Sequence, residues 1–346
     1  MKRIRTFFLC MAVVPCIVSC AEEYYYVKTD FTGNGKIGRT VYFTDSLQSV
    51  RFQEAGWDVD TAVSLPEGEV DYKYVAMNSA DGIGDLYPFF VHTGVEERMD
   101  KKFKWFVTEF RYSAVFPECD WLPVGMDGFM NEQERNIWLR GDGLEPVSGY
   151  ELMYRLDDIN DKFMNWYAYS FFEYDCNLFM EYMEKSQADS LLKYKKAVYS
   201  EIKDDFGSIM DELTPERFAG VADGYFGGNY YGGLYGANKA AMDERYESDV
   251  EKMNGYFKDY WYFTVDMPGR IVETDAKIHD SSSATWYIYP IRMLDAPLAI
   301  EAVSVKTNLW ACIITAIAIV GVGGLIALLC GVPARRRASQ RAHLLT

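Results

Sequence analysis

"WYFTVDMPGRIVETDAKI", Trp261 to Ile278, is the stretch in which this 346-residue chain returns to strand character after a long helical middle. Aromatic and β-branched residues alternate through 261–267, Pro268-Gly269 supplies a turn, and a second such run follows over 270–278. A polar "HDSSS" turn, "TWYIYPI" (285–291) and "LAIEAVSVKT" (298–307) continue the pattern. Working back toward the N-terminus, "YYYVKTDFTGNGKIGRTVYFTD" (24–45) reads as a hairpin around Gly33-Asn34-Gly35. "YKYVAM" (72–77), "LYPFFVH" (86–92) and "KFKWFVTEFRYSAVF" (102–116) read as further strands. The exposed face of the last one switches midway, which predicts a bulge or bend near Thr108.

Between the two strand regions the period changes to that of helices. "MNEQERNIWLRGD" (130–142) predicts a short helix closed by Gly141. Ser148 with Glu151 forms a capping-box pattern that opens a long helix, with Leu152, Leu156, Ile159, Phe163 and Trp166 at spacings of three and four. Helices follow over 188–202, from Thr214-Pro215, and over 236–260. Strands, then helices, then strands predict an α+β fold, in which N-terminal (20–116) and C-terminal (258–307) strands share an antiparallel sheet. Residues 117–257 form a central helical insertion.

Both chain ends speak of membranes. Lys2, Arg3 and Arg5 precede an uncharged run, "TFFLCMAVVPCIVS", too short to cross ~30 Å of hydrocarbon and broken by Pro15. That is the pattern of a signal peptide over 1–19. Its end, Ile17-Val18-Ser19-Cys20, resembles the bacterial lipobox, which implies that Cys20 is lipidated and becomes the first residue. At the other end, Leu309–Val332 gives 24 uncharged residues, long enough to span a bilayer within a segment 308–332. Arg335, Arg336, Arg337 and Arg341 in the tail 333–346 place the C-terminus in the cytoplasm. The expected location is the inner membrane, with the domain on the periplasmic side and Cys20 holding the first strand near the bilayer. Gly323, Ala327 and Gly331 recur every four residues on the membrane helix, a small-residue ridge through which two copies could associate.

The external part holds 28 basic against 51 acidic residues, a balance of −23, which repels nucleic acid. Only Cys119 and Cys176 fall there, and one disulfide between them is open. "MPGRIVETDA" (267–276), Trp286, and "IEAVSV" ahead of "NLWA" (308–311) together resemble membrane-anchored lipoproteins of Bacteroidota. So do "KFKWFVTEFRYSAVFP" and "GNGKIGRTVYF". The resemblance implies an anchored envelope protein and carries over no catalytic residue.

No pattern spells out a chemistry. Of three histidines, His343 lies in the tail, leaving His92 and His279, with no His-Glu-x-x-His helix and no Gly-x-Ser-x-Gly elbow. "DFTGNG" (30–35) begins like a calcium loop, but Val41 stands where its bidentate Glu belongs. Asp81 and Asp85 are too few to hold a cation, and no acid pair stands out for glycoside cleavage. No metal, cofactor or catalytic residue is therefore expected. "YFGGNYYGGLYG" (225–236) offers Tyr225, Phe226, Tyr230, Tyr231 and Tyr235 either as a gripping loop or as a helix connector with buried rings. The expected function is a non-enzymatic envelope protein whose acidic domain binds an envelope partner. The alternative is a carboxylate-based hydrolase, or a carbohydrate or peptide binder using that loop.

Overall fold

A computed structural model describes residues 23–31, 36–61, 70–86, 94–119, 122–141, 149–203 and 214–343. Cys20, the Gly33–Gly35 turn, most of 86–92 including His92, and Ser148 lie outside the described residues.

The chain is α+β. Eleven strands are described, β1 (Glu23–Asp30), β2 (Ile37–Phe43), β3 (Asp58–Thr61), β4 (Tyr74–Ala80), β5 (Glu96–Lys104), β6 (Val107–Phe116), β7 (Asp259–Asp266), β8 (Arg270–Thr274), β9 (Ile278–His279), β10 (Ser283–Ile288) and β11 (Leu298–Thr307). Helix α1 (Ser46–Glu54) lies among the first strands, and α2 (Glu132–Arg135), α3 (Gly149–Met180), α4 (Lys185–Ile202), α5 (Pro215–Phe226) and α6 (Tyr230–Lys258) fill the middle. Helix α7 (Leu309–His343) closes the chain and runs on past Pro333, where the sequence pattern ended the apolar segment.

N-terminal and C-terminal strands share sheets as expected, and those sheets number two, a choice the strand order alone leaves open. One runs β3-β4-β2-β1-β7-β10-β9, the other β5-β6-β11-β8. In the first sheet the two halves of the chain meet in parallel, Glu23 beside Asp259 through Asp30 beside Asp266. A parallel pair needs a long crossover, and the helical insertion supplies it. In the second sheet they meet antiparallel, Leu298 opposite Phe116 through Thr307 opposite Val107. The long strand expected over 102–116 is instead a hairpin. The face switch marks not a bulge but the two-residue turn Trp105-Phe106, which pairs Lys104 with Val107.

The inward faces are apolar at every second residue, Tyr25, Val27, Val41, Phe43, Phe263 and Val265 from one sheet and Tyr112, Ala114, Phe116, Ile300 and Ala302 from the other. Between them lies a buried polar link. The Arg39 guanidinium is 2.6 Å from Glu97 and donates to the Thr29 hydroxyl at 3.0 Å, while the Tyr112 hydroxyl donates to the same Glu97 oxygen at 2.7 Å. Gly269 turns the chain from one sheet to the other. Its φ of +89° suits glycine, and a Cβ there would fall 2.3 Å from the carbonyl oxygen of Val305.

Ring contacts give the relative direction of the sheets. Phe31, at the end of β1, meets Tyr112, whereas Trp261, near the start of β7, meets Phe116. Pro268 and Gly269 touch Ser304 and Val305, close to Thr307. The last residues of β1 and β7 therefore lie toward α7. Their first residues, Glu23 and Asp259, lie at the opposite end, beside the helical insertion. Eight strand residues at ~3.3 Å each separate those ends by about 25 Å. Cys20 is three residues before Glu23, and three residues reach only about 10 Å. The first strand therefore opens away from α7.

Candidate functional site

Residues 225–236 are a helix–helix corner that covers a core, not a loop. Phe226 ends α5, Gly227 takes a left-handed φ of +74°, and Tyr230 begins α6, earlier than the expected start at 236. Asp223 makes the corner. Its carboxylate accepts from the backbone N–H groups of Tyr231 and Gly232 at 2.8 and 2.7 Å, capping the start of α6. A Cβ on Gly232 would sit 3.0 Å from that carboxylate, so the glycine admits the cap. Tyr231 and Tyr235 are buried, and Tyr231 stacks on Phe226 and meets Phe179 and Phe218. Tyr225 and Tyr230 are partly exposed at the rim. Of the five rings, Tyr231 and Tyr235 thus belong to the second core, Phe226 packs against it, and Tyr225 and Tyr230 face solvent.

Cys119 and Cys176 are not bonded to each other. Cys119 belongs to the sheet core and Cys176 to the separate helical core, where burial raises its thiol above the ordinary range.

The helical insertion carries a groove of about 700 Å³, lined by Tyr174 and Asn177 of α3, by Glu181 just after it, and by Glu244, Arg245, Asp249 and Lys252 of α6. Its charges are tied together. Asp249 accepts from the Tyr174 hydroxyl at 2.8 Å and from Lys252 at 2.6 Å, and Arg245 lies 3.4 Å away. Burial opposes its charge, but bonds from Lys252 and Tyr174 and those cations hold the Asp249 carboxylate below its usual range. Sequence spacing shows Arg245, Asp249 and Lys252 on one face of α6, but not that Tyr174, seventy-five residues earlier, meets them.

A second cavity, of about 190 Å³, lies beside α1 at the starting ends of the central strands β1 and β7 and is lined by Glu23, Tyr25, Asp45, Arg51, Glu251 and Asp259. Burial, with the Glu23 carboxylate beside it, pushes Asp259 up to about 8. The Tyr25 hydroxyl donates to Glu23 at 2.7 Å. A carboxyl held protonated by burial invites a general-acid reading of Asp259, but this space falls below the ~300 Å³ at which small-molecule pockets begin. Among the described residues no three His, Cys, Asp or Glu side chains gather to hold a metal.

At the other end of the sandwich, α7 leaves the domain. Among the described residues, Leu309–Leu328 is the single helix long and apolar enough to cross a membrane, and almost none of it is covered by the rest of the chain. Gly323 and Ala327 are exposed, and nothing stands within 4 Å of a Cβ built on Gly323. Gly331 lies where α7 is described by its backbone alone. The junction is tight. The Asn308 backbone N–H donates to the Phe106 carbonyl at 2.8 Å, and its side-chain amide donates to the carbonyls of Lys104 and Trp105 at 3.0 and 3.2 Å. The Thr108 hydroxyl donates to the Asn308 side-chain oxygen at 2.9 Å.

No family model matches this chain, and neither a curated protein nor a solved structure matches it.

Proposed function

We propose that the protein is a membrane-anchored envelope protein that presents its helical insertion to a partner. The observation that carries this reading is the state of α7. A helix of this length that packed inside a soluble protein would bury its apolar side chains, whereas Ile317, Ile319 and Val320 are 66, 68 and 74% exposed. The arginines after it orient the tail toward the cytoplasm and the domain toward the periplasm. The groove between α3 and α6 lies at the far end of the sandwich, where an anchored domain is most accessible. Its mixed charges and ~700 Å³ suit a segment of a protein partner that carries both signs of charge. Fractionation tests the anchor. The full chain should stay with membranes through alkaline extraction, and a chain ending at Thr307, made without the lipobox cysteine, should be released. Release of both would overturn the reading.

An acyl chain on Cys20 would add a second attachment at the end of the sandwich opposite α7. With the strands upright, its reach falls about 15 Å short of even the near end of β1. The two attachments therefore enter one bilayer only if the domain lies on its side.

A further inference from the structure

The turn joining β5 to β6 breaks the usual rule for two-residue hairpins, which favour Asn, Asp and Gly. Here it is Trp105-Phe106, preceded by Phe103, and these three rings are 49, 51 and 54% exposed. Three large aromatics projecting from one turn add little to the core, and such clusters mark contact surfaces. They do not project alone. Trp310 of α7 stacks on Phe103 with ring centres 6.1 Å apart and meets Trp105 edge-on at 5.6 Å. The Trp105 indole N–H donates to the Thr315 hydroxyl at 2.9 Å. Thr315 lies six residues into α7, so the indole reaches about 9 Å along the helix from its first residue. The Asn308 bonds fix the turn at that depth.

Charge points the same way. The external part is strongly acidic, yet Lys101, Lys102, Lys104 and Lys306 stand exposed around this tip, Lys104 paired with Glu109. Aromatic rings at the mouth of an apolar helix, flanked by lysines, match the boundary between lipid headgroups and acyl chains.

We propose that the β5–β6 tip is a second membrane-contact site. Phe103, Trp105 and Phe106, with Trp310, lie in the headgroup layer of the bilayer that α7 crosses, and Lys102, Lys104 and Lys306 face lipid phosphates. The occupant is lipid because the tip is continuous with the start of the spanning helix and level with its first turns. The tip and helix then hold the β5–β6 end of the domain against that bilayer. This inference rests on α7 spanning the membrane.

The test uses the full chain in phosphatidylcholine–phosphatidylglycerol vesicles, accessible thiols replaced by serine, with nitroxide labels at Phe106→Cys, Tyr154→Cys or Ile319→Cys. Labels at 106 and 319 should collide several-fold more with oxygen than with an aqueous nickel chelate, and the label at 154 should show the reverse. A label at 106 as aqueous as that at 154, with 319 still in hydrocarbon, overturns the tip while leaving the span intact. An aqueous label at 319 overturns the span and the tip with it. A label at 106 shielded from both agents means that protein covers the tip, and overturns lipid as the occupant. Lys102→Gln with Lys104→Gln should reduce immersion at 106 in these vesicles and leave it unchanged in pure phosphatidylcholine. Equal loss in both would overturn the role given to the lysines.

Discussion

Asp175 gives a sharp prediction because it breaks the usual treatment of a buried charge. It is fully buried in the helical core, and neither carboxylate oxygen has a hydrogen-bond partner. Burial raises its pKa well above the carboxylate range. In the unfolded chain the group titrates near ~3.9. The native state therefore holds a proton that the unfolded state releases, and stability falls as pH rises above that value, until the folded pKa is passed. The slope is one proton's worth, about 1.4 kcal/mol per pH unit. Asp175→Asn keeps the shape and removes the titration. Its stability advantage over the wild type should grow as pH rises from about 4, by up to about 1.4 kcal/mol per pH unit. Urea unfolding of both full chains in detergent, repeated across that range, reads the difference directly. Contributions from Asp259 cancel, since both chains carry it. Any fixed cost of burying the amide shifts the whole curve without changing its slope. A difference that stays flat with pH would refute the buried, proton-holding carboxyl.

Other expectations follow from single contacts. Tyr231→Ala should destabilise the helical core by about 3–5 kcal/mol in the same assay, while Tyr230→Ala, on the rim, should cost under ~1 kcal/mol. The reverse order would restore the gripping loop. Asn308→Ala removes three side-chain hydrogen bonds but keeps the backbone bond to Phe106. At about 1–3 kcal/mol locally, amide exchange across 101–108 should speed roughly ten- to hundredfold. Unchanged exchange would mean that the junction is held elsewhere. Cys20→Ala should abolish acyl labelling while leaving membrane retention intact, because α7 remains. Loss of retention would shift the anchor to the N-terminus.

Much of the fold was legible in the chain, for identifiable reasons. Alternation of large apolar residues exposed the strands, and the three-and-four spacing of Ile159, Phe163 and Trp166 exposed α3. What stayed hidden were long-range choices that local periodicity does not encode. The same inward alternation serves one sheet or two, and the parallel meeting of Glu23 with Asp259 depends on where the insertion returns the chain. The face switch at 104–108 was visible, but turn chemistry misled, because Trp105-Phe106 lacks the residues that two-residue turns favour. At 225–236 the glycines suggested a loop, whereas Gly232 is there to admit the Asp223 cap, a contact between separate helices. The groove at Asp249 depends on Tyr174 arriving from α3, which no local pattern announces.

In the proposed topology α7 crosses the membrane with the domain outside and the tail inside. Protease added to intact spheroplasts, with one epitope inserted after Lys203 and another at the C-terminus, tests it most directly. With α7 across the membrane, the first epitope is digested at once, while the C-terminal one survives on a short membrane-retained fragment until the membrane is opened with detergent. A C-terminal epitope lost together with the first, before detergent, would contradict it.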